Sequence, residues 1–164
     1  MPQLTRRSLL RTLGVSGAVA AGAGLGSAHP EHSEVRKQLA AVRRATSKYH
    51  DVQTAIDDGY VPEEHCVSNP AGDGAMGFHY PNFELFFEPG VDLENPEVLV
   101  YEKRGENLHL VAVEYAAQES FTLFGQDAHP PNEVPFYTLH AWVWKANPNG
   151  VFAGFNPNVR CPSE

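Results

Sequence analysis

Between Pro30 and Asp58 the apolar side chains Val35, Leu39, Val42, Tyr49, Val52 and Ile56, with Thr46 in the same series, recur every three or four residues. That spacing places them on one face of an α-helix, while Glu34, Arg36, Lys37, Arg43, Arg44 and Lys48 fall on the others. Pro30 suits a first turn, and Gly59 followed by Pro62 is a stop. The pattern predicts one long amphipathic helix over residues 30–58.

Beyond Gly59 the period changes. Residues 61–77, punctuated by Pro62, Asn69-Pro70, Gly72 and Gly74, read as a loop. Residues 83–87 read as a short strand ended by Pro89-Gly90. Residues 98–102 and 108–116 flank Lys103-Arg104-Gly105-Glu106-Asn107 and predict a hairpin. Residues 120–124 add a short strand. Residues 136–145 alternate Phe136, Thr138, His140, Trp142 and Trp144 against Tyr137, Leu139, Ala141 and Val143, the period of a strand. One helix followed by antiparallel strands is an α+β plan. The expected arrangement is the long N-terminal helix packed on a curved antiparallel sheet. Cystatin-like and nuclear-transport-factor-like cones are the templates, and a small half-open β-barrel is the alternative.

The first residues carry a separate signal. Thr5-Arg6-Arg7-Ser8-Leu9-Leu10-Arg11 resembles the twin-arginine export motif, in which paired arginines precede an apolar stretch. Residues 13–25 are rich in Gly and Ala and too short to span a bilayer, which takes about 20 strongly apolar residues. Gly26-Ser27-Ala28 offers small residues for a signal peptidase. The expectation is a cleaved signal peptide over residues 1–28 and a single domain over residues 29–164. The twin-arginine route carries folded proteins, so the mature domain is expected in the periplasm or outside the cell, without stable membrane anchoring.

Composition narrows the partners. The net charge is −8, and loss of residues 1–28 removes Arg6, Arg7 and Arg11 and no acid, which takes it to −11. Nucleic acid and anionic lipid both need a basic face, so neither is expected as a partner. Nine Phe, six Tyr and two Trp supply enough bulk for a real core. The two cysteines, Cys66 and Cys161, read in an exported chain as one disulfide. A thiolate metal ligand or a nucleophile is the competing use.

Five residues carry candidate chemistry: His79, His140, Glu114, Glu102 and, less strongly, His65. His79 follows the glycine-rich run Gly74-Ala75-Met76-Gly77, where backbone can approach a ligand closely. Glu102 and Glu114 close the apolar runs Val-Leu-Val-Tyr-Glu and Val-Ala-Val-Glu, and a carboxylate buried there needs a partner. His140 sits in mid-strand on the side of Trp142 and Trp144. Tyr80 and Trp142 are the expected pocket walls. Two imidazoles with one or two carboxylates suit a divalent metal such as zinc, copper or iron(II), or an acid and base around a small molecule. Each residue also has an ordinary use, as a satisfied core histidine or a surface carboxylate paired with Arg104 or Arg160. An odd-length hairpin loop would place Glu102 and Glu114 on one face; an even-length loop would split them. Cys-x-x-Cys, His-Glu-x-x-His, Gly-x-Ser-x-Gly and P-loop patterns are missing.

Three segments stand out together: Gly74-x-Met76-Gly77-x-His79-Tyr80, residues 110–115, and Leu139-His140-Ala141-Trp142-Val143-Trp144 followed by Asn147-Pro148-x-Gly150-x-Phe152. On these the chain resembles a group of small exported microbial proteins of unassigned activity, over residues 40–161. That resemblance ties the segments into one unit and implies no reaction. The sequence therefore points to an exported protein that binds a metal ion or small ligand. A metal-dependent hydrolase or oxidoreductase using the same residues is one alternative, and a structural or interaction module without a ligand is the other.

Overall fold

The computed structural model describes residues 30–162. The expected signal peptide over residues 1–28 lies outside the described residues. The N-terminal helical region consists of α1 (Pro30–Thr46), a 3-10 turn (Ser47–His50) and α2 (Val52–Asp57). The single helix expected over residues 30–58 is thus broken near Asp51, whose backbone is extended at φ −86° and ψ 106°. Local chemistry accounts for the break. The Asp51 side chain accepts a hydrogen bond from the Gln53 amide at 3.0 Å and so caps α2. The carbonyl of Tyr49 is taken by the Tyr101 hydroxyl at 2.7 Å. The predicted apolar face still points inward, with Leu39, Val42, Thr46 and Tyr49 buried.

Seven strands follow: β1 (Cys66–Ser68), β2 (Ala75–Pro81), β3 (Val98–Arg104), β4 (Asn107–Ala117), β5 (Thr122–Leu123), β6 (Gln126–Asp127) and β7 (Tyr137–Ala141). Five of them form one antiparallel sheet in the order β1-β2-β3-β4-β7, while β5 and β6 pair separately. The sheet is strongly curled into a half-barrel against the helix, which is the α+β plan the hydrophobic pattern predicts. Three segments differ from that pattern. The strand expected over residues 136–145 ends at Ala141, and Trp144 turns to the helix side, where its indole N–H donates to the Thr46 hydroxyl and its ring meets His50, so it does not share a face with His140 and Trp142. Residues 83–87 form a turn and a short 3-10 helix (Leu85–Phe87) instead of a strand. The expected loop over residues 61–77 contains β1 and the start of β2. Glycine hides β2: Gly77 adopts φ +121°, and a side chain there would collide with the Tyr101 carbonyl oxygen of β3.

Strand alternation divides the interior into two layers. Leu99, Tyr101, Val113, Tyr115 and Leu139 pack with Leu39, Val42 and Tyr49 on the helix side. Val98, Val100, Val111, Ala112, Trp142 and Val159 form a smaller cluster on the other face. Cys66 and Cys161 form a disulfide, which fastens β1 to the C-terminal segment across 95 residues of chain.

Candidate metal centre

The side chains of interest come from three strands on the face away from the helix. His79 on β2 stands opposite Val100, Glu114 on β4 opposite Val98, and His140 on β7 directly opposite Glu114. Strand β3 contributes no donor: Val98 and Val100 lie beneath, and the three side chains converge above them. His79 Nε2 is 3.7 Å from one Glu114 carboxylate oxygen, and His140 Nδ1 is 4.0 Å from the other. One donor atom from each of the three falls within 4.8 Å of the other two. The His79 and His140 rings stand 6.2 Å apart, close to perpendicular.

Glu114 reaches this face through an irregularity. The β3–β4 hairpin turns on Gly105-Glu106, and Arg104 pairs with Asn107, Glu102 with His109 and Tyr101 with Leu110. That two-residue turn would place Glu102 and Glu114 on opposite faces. The register then shifts between Val100 and Tyr101, leaving Val111 as an extra residue in β4, and Val98 comes to face Glu114. The bulge puts both carboxylates on one face. It does not bring them together, because Glu102 lies four residues along β3 from Val98, about 13 Å at ~3.3 Å per residue.

Glu102 has its own partners, Lys145 Nζ at 2.7 Å and Arg104 at 2.7 Å. It belongs to a buried ion-paired cluster and not to the histidine group. Tyr80 also departs from its expected place. As the residue after His79 it points to the opposite face, where its ring lies tilted against that of Tyr101, centroids 4.7 Å apart, in the helix-side core. Trp142 lies beside His140, two residues on and on the same face, with ring centroids 5.0 Å apart. Its indole N–H is fixed by the Ala153 carbonyl. His65 is exposed in the segment before β1 and lies outside the three-residue cluster. One surface cleft is lined by Asp57, Val61, Phe83 and Glu84 and another by Lys103, Glu106 and Arg160; neither includes a residue of the cluster.

Burial sets the protonation of the group. The His140 side chain is 3% exposed, His79 12% and Glu114 16%. Desolvation lowers His140 to about 3, helped by the neighbouring His79. Desolvation likewise lowers His79 to about 4, opposed by the nearby Gly77 backbone. Glu114 is pushed up to about 7 by desolvation, opposed by Thr138 and reinforced by the charge of Glu63. At neutral pH both imidazoles are therefore uncharged, and their short approaches to Glu114 are not ion pairs. Uncharged imidazoles keep the lone pairs a metal needs.

Both ring nitrogens of His140 are buried without a hydrogen-bond partner, whereas His79 has the Gly77 backbone beside it as a hydrogen-bonding group. Buried polar atoms nearly always find one, so two on a single ring need an explanation. A divalent cation would partner one of them, the Nδ1 that faces Glu114. Tetrahedral zinc holds donors at about 2.0–2.2 Å, hence about 3.3–3.5 Å from each other, and the two histidine–Glu114 separations of 3.7 and 4.0 Å approach that shell. The set of two imidazoles and one carboxylate also suits copper(II) and iron(II).

Sequence reasoning passed over Glu63. The Glu63 amide donates to the His79 carbonyl at 3.0 Å and Val61 to Pro81 at 2.8 Å, so residues 61–63 run along the edge of β2. No periodicity marks this stretch, and its place beside His79 arises only from pairing. Comparison with family models, with curated proteins and with solved structures finds no match to this chain.

Proposed function

We propose that this is an exported protein that binds a divalent metal ion through His79, Glu114 and His140. The observation that carries the reading is the convergence of one donor atom each from His79, Glu114 and His140 within 4.8 Å, with the deeply buried His140 ring lacking any hydrogen-bond partner. Leaving a buried ring nitrogen without a partner costs about 1–3 kcal/mol, and coordination of His140 Nδ1 would offset that cost for the atom it engages. Zinc and copper(II) are the metals the donor set favours. The paired arginines Arg6 and Arg7, together with a disulfide, support export to an oxidising compartment. Among the described residues no helix is long and apolar enough to cross a membrane.

The test is elemental analysis of protein purified without chelator or affinity-tag metal, beside a His79→Ala/His140→Ala variant. The reading expects close to one metal per chain in the parent and none in the variant. Absence of metal from the parent, persisting after incubation with zinc or copper(II), would leave the cluster as part of a structural module. Replacing Arg6 and Arg7 by Lys should retain the precursor in the cytoplasm, and unchanged export would remove the twin-arginine assignment.

A further inference from the structure

The protein donors form one side of a shell. All three come from the sheet, and among the described residues the cluster contains no fourth histidine, cysteine or carboxylate. Both cysteines are committed to the disulfide. Zinc takes four ligands, so three protein donors leave a position for something else. Exposure indicates where that position lies. His140 is the deepest of the three, while Glu114 and His79 retain 16% and 12% of their side-chain surface. The accessible side therefore lies away from His140 and β7, over Glu114 and His79.

Glu63 stands on that side. Its amide is bonded to the His79 carbonyl, which makes it a lateral neighbour of His79 across the edge of the sheet. Its side chain is exposed, with no hydrogen bond or ion pair to any described residue. It lies outside the donor cluster, yet its charge acts on Glu114. A carboxylate so placed borders the site without belonging to the first ring of donors.

We propose that the site keeps a coordination position open on its Glu63 side. This position takes a neutral, proton-bearing oxygen ligand, water or an alcohol, hydrogen-bonded to the Glu63 carboxylate, and disfavours anions. The ligand's oxygen lone pair meets the metal and its O–H meets the carboxylate, so both polar ends are satisfied. An anion offers no proton to Glu63 and is repelled by it. This inference rests on the metal-binding reading above.

The test uses the cobalt(II)-loaded protein, whose visible bands report coordination, titrated with sodium azide at constant ionic strength. Parent protein, Glu63→Gln and the neighbouring control Glu64→Gln are compared, with thermal melts to verify folding. Azide should perturb the parent bands, bind Glu63→Gln about tenfold more tightly, and bind Glu64→Gln as it binds the parent. Bands indifferent to azide in all three proteins would mean a closed shell and overturn the inference. Equal azide affinity in the parent and Glu63→Gln would overturn the role of Glu63. Failure of the parent to take up cobalt, zinc or copper(II) would instead remove the metal-binding reading, and this inference with it.

Discussion

His140 lies directly opposite Glu114 across the β4–β7 pair, with its Nδ1 4.0 Å from the nearer carboxylate oxygen. Neither nitrogen of its ring has a hydrogen-bond partner, although the side chain is almost wholly buried. A histidine retained for packing alone would be expected to anchor one nitrogen to a carbonyl or hydroxyl. Here Trp142 lies against the ring at 5.0 Å, Val98 stands opposite Glu114 beside it, and the His79 ring is 6.2 Å away. The metal-free protein therefore carries a polar group in an apolar setting, and an apolar residue would suit that setting better.

That argument sets the first prediction. His140→Leu should abolish metal binding while leaving the metal-free protein equally stable or more stable by up to about 2 kcal/mol. Urea unfolding of the chelated proteins, with metal content measured alongside, checks both halves. A loss of more than about 2 kcal/mol would mean that the imidazole holds the fold together, contrary to the reading here.

Glu97 gives a pH prediction. It is 2% exposed, its carboxylate accepts the Ala116 amide at 3.1 Å, and burial raises it from 4.5 to about 7. A carboxyl raised in the fold binds an extra proton between those values. Its contribution to stability is therefore greatest below pH 4.5 and is lost as pH rises to about 7. The size is on the order of 2–3 kcal/mol. Glu114 acts in the same direction, whereas His79 and His140, held neutral, cost stability as pH falls below 6.5. Glu97→Gln isolates the one term: the stability difference between parent and variant should change in the parent's disfavour from pH 4.5 to 7.5. A difference independent of pH would mean that Glu97 titrates normally.

The disulfide gives a third. Cys66 and Cys161 close a loop across 95 residues, for which chain entropy gives about 4–5 kcal/mol. The non-reduced protein should contain no free thiol, and the Cys66→Ala/Cys161→Ala variant should lose a large part of that stability in denaturant unfolding. An unchanged midpoint would mean that strain or residual structure cancels the entropic gain.

How much of this was legible in the sequence depends on whether a feature is local. The helix face from Leu39 to Tyr49 and the alternation around His140 are periodic, and both predicted their elements, although the strand ends at Ala141 and Trp144 beyond it packs on the helix side. Asp51 broke the helix through a capping bond and the loss of the Tyr49 carbonyl to Tyr101, a contact 52 residues apart. Strand β2 escaped notice because Gly77 within it and Gly72 and Gly74 just before it read as loop punctuation and outweighed the short alternation of Met76, Phe78 and Tyr80. His79, Glu114 and His140 could be named as candidates from residue type and setting. Which carboxylate joined the histidines could not, since the choice rests on the extra residue at Val111 and on Lys145 capturing Glu102. Glu63 had no mark at all, because its neighbour His79 is reached only through the sheet edge.

Gly77 tests the last of these links, between backbone geometry and the site. It holds φ +121° two residues before His79, and a side chain there would collide with the Tyr101 carbonyl oxygen. Relief would require β2 to move away from β3, which carries the floor residues Val98 and Val100. Gly77→Ala should therefore lose about 2–4 kcal/mol of stability, from the positive φ and the clash together. It should also weaken metal binding, because His79 moves with its strand. Gly72, at φ +88° with open space around it, is the control: Gly72→Ala meets the conformational penalty without the clash and should cost about 1 kcal/mol with metal affinity unchanged. Equal effects of the two substitutions would mean that β2 can shift freely and that its close approach to β3 does not position His79.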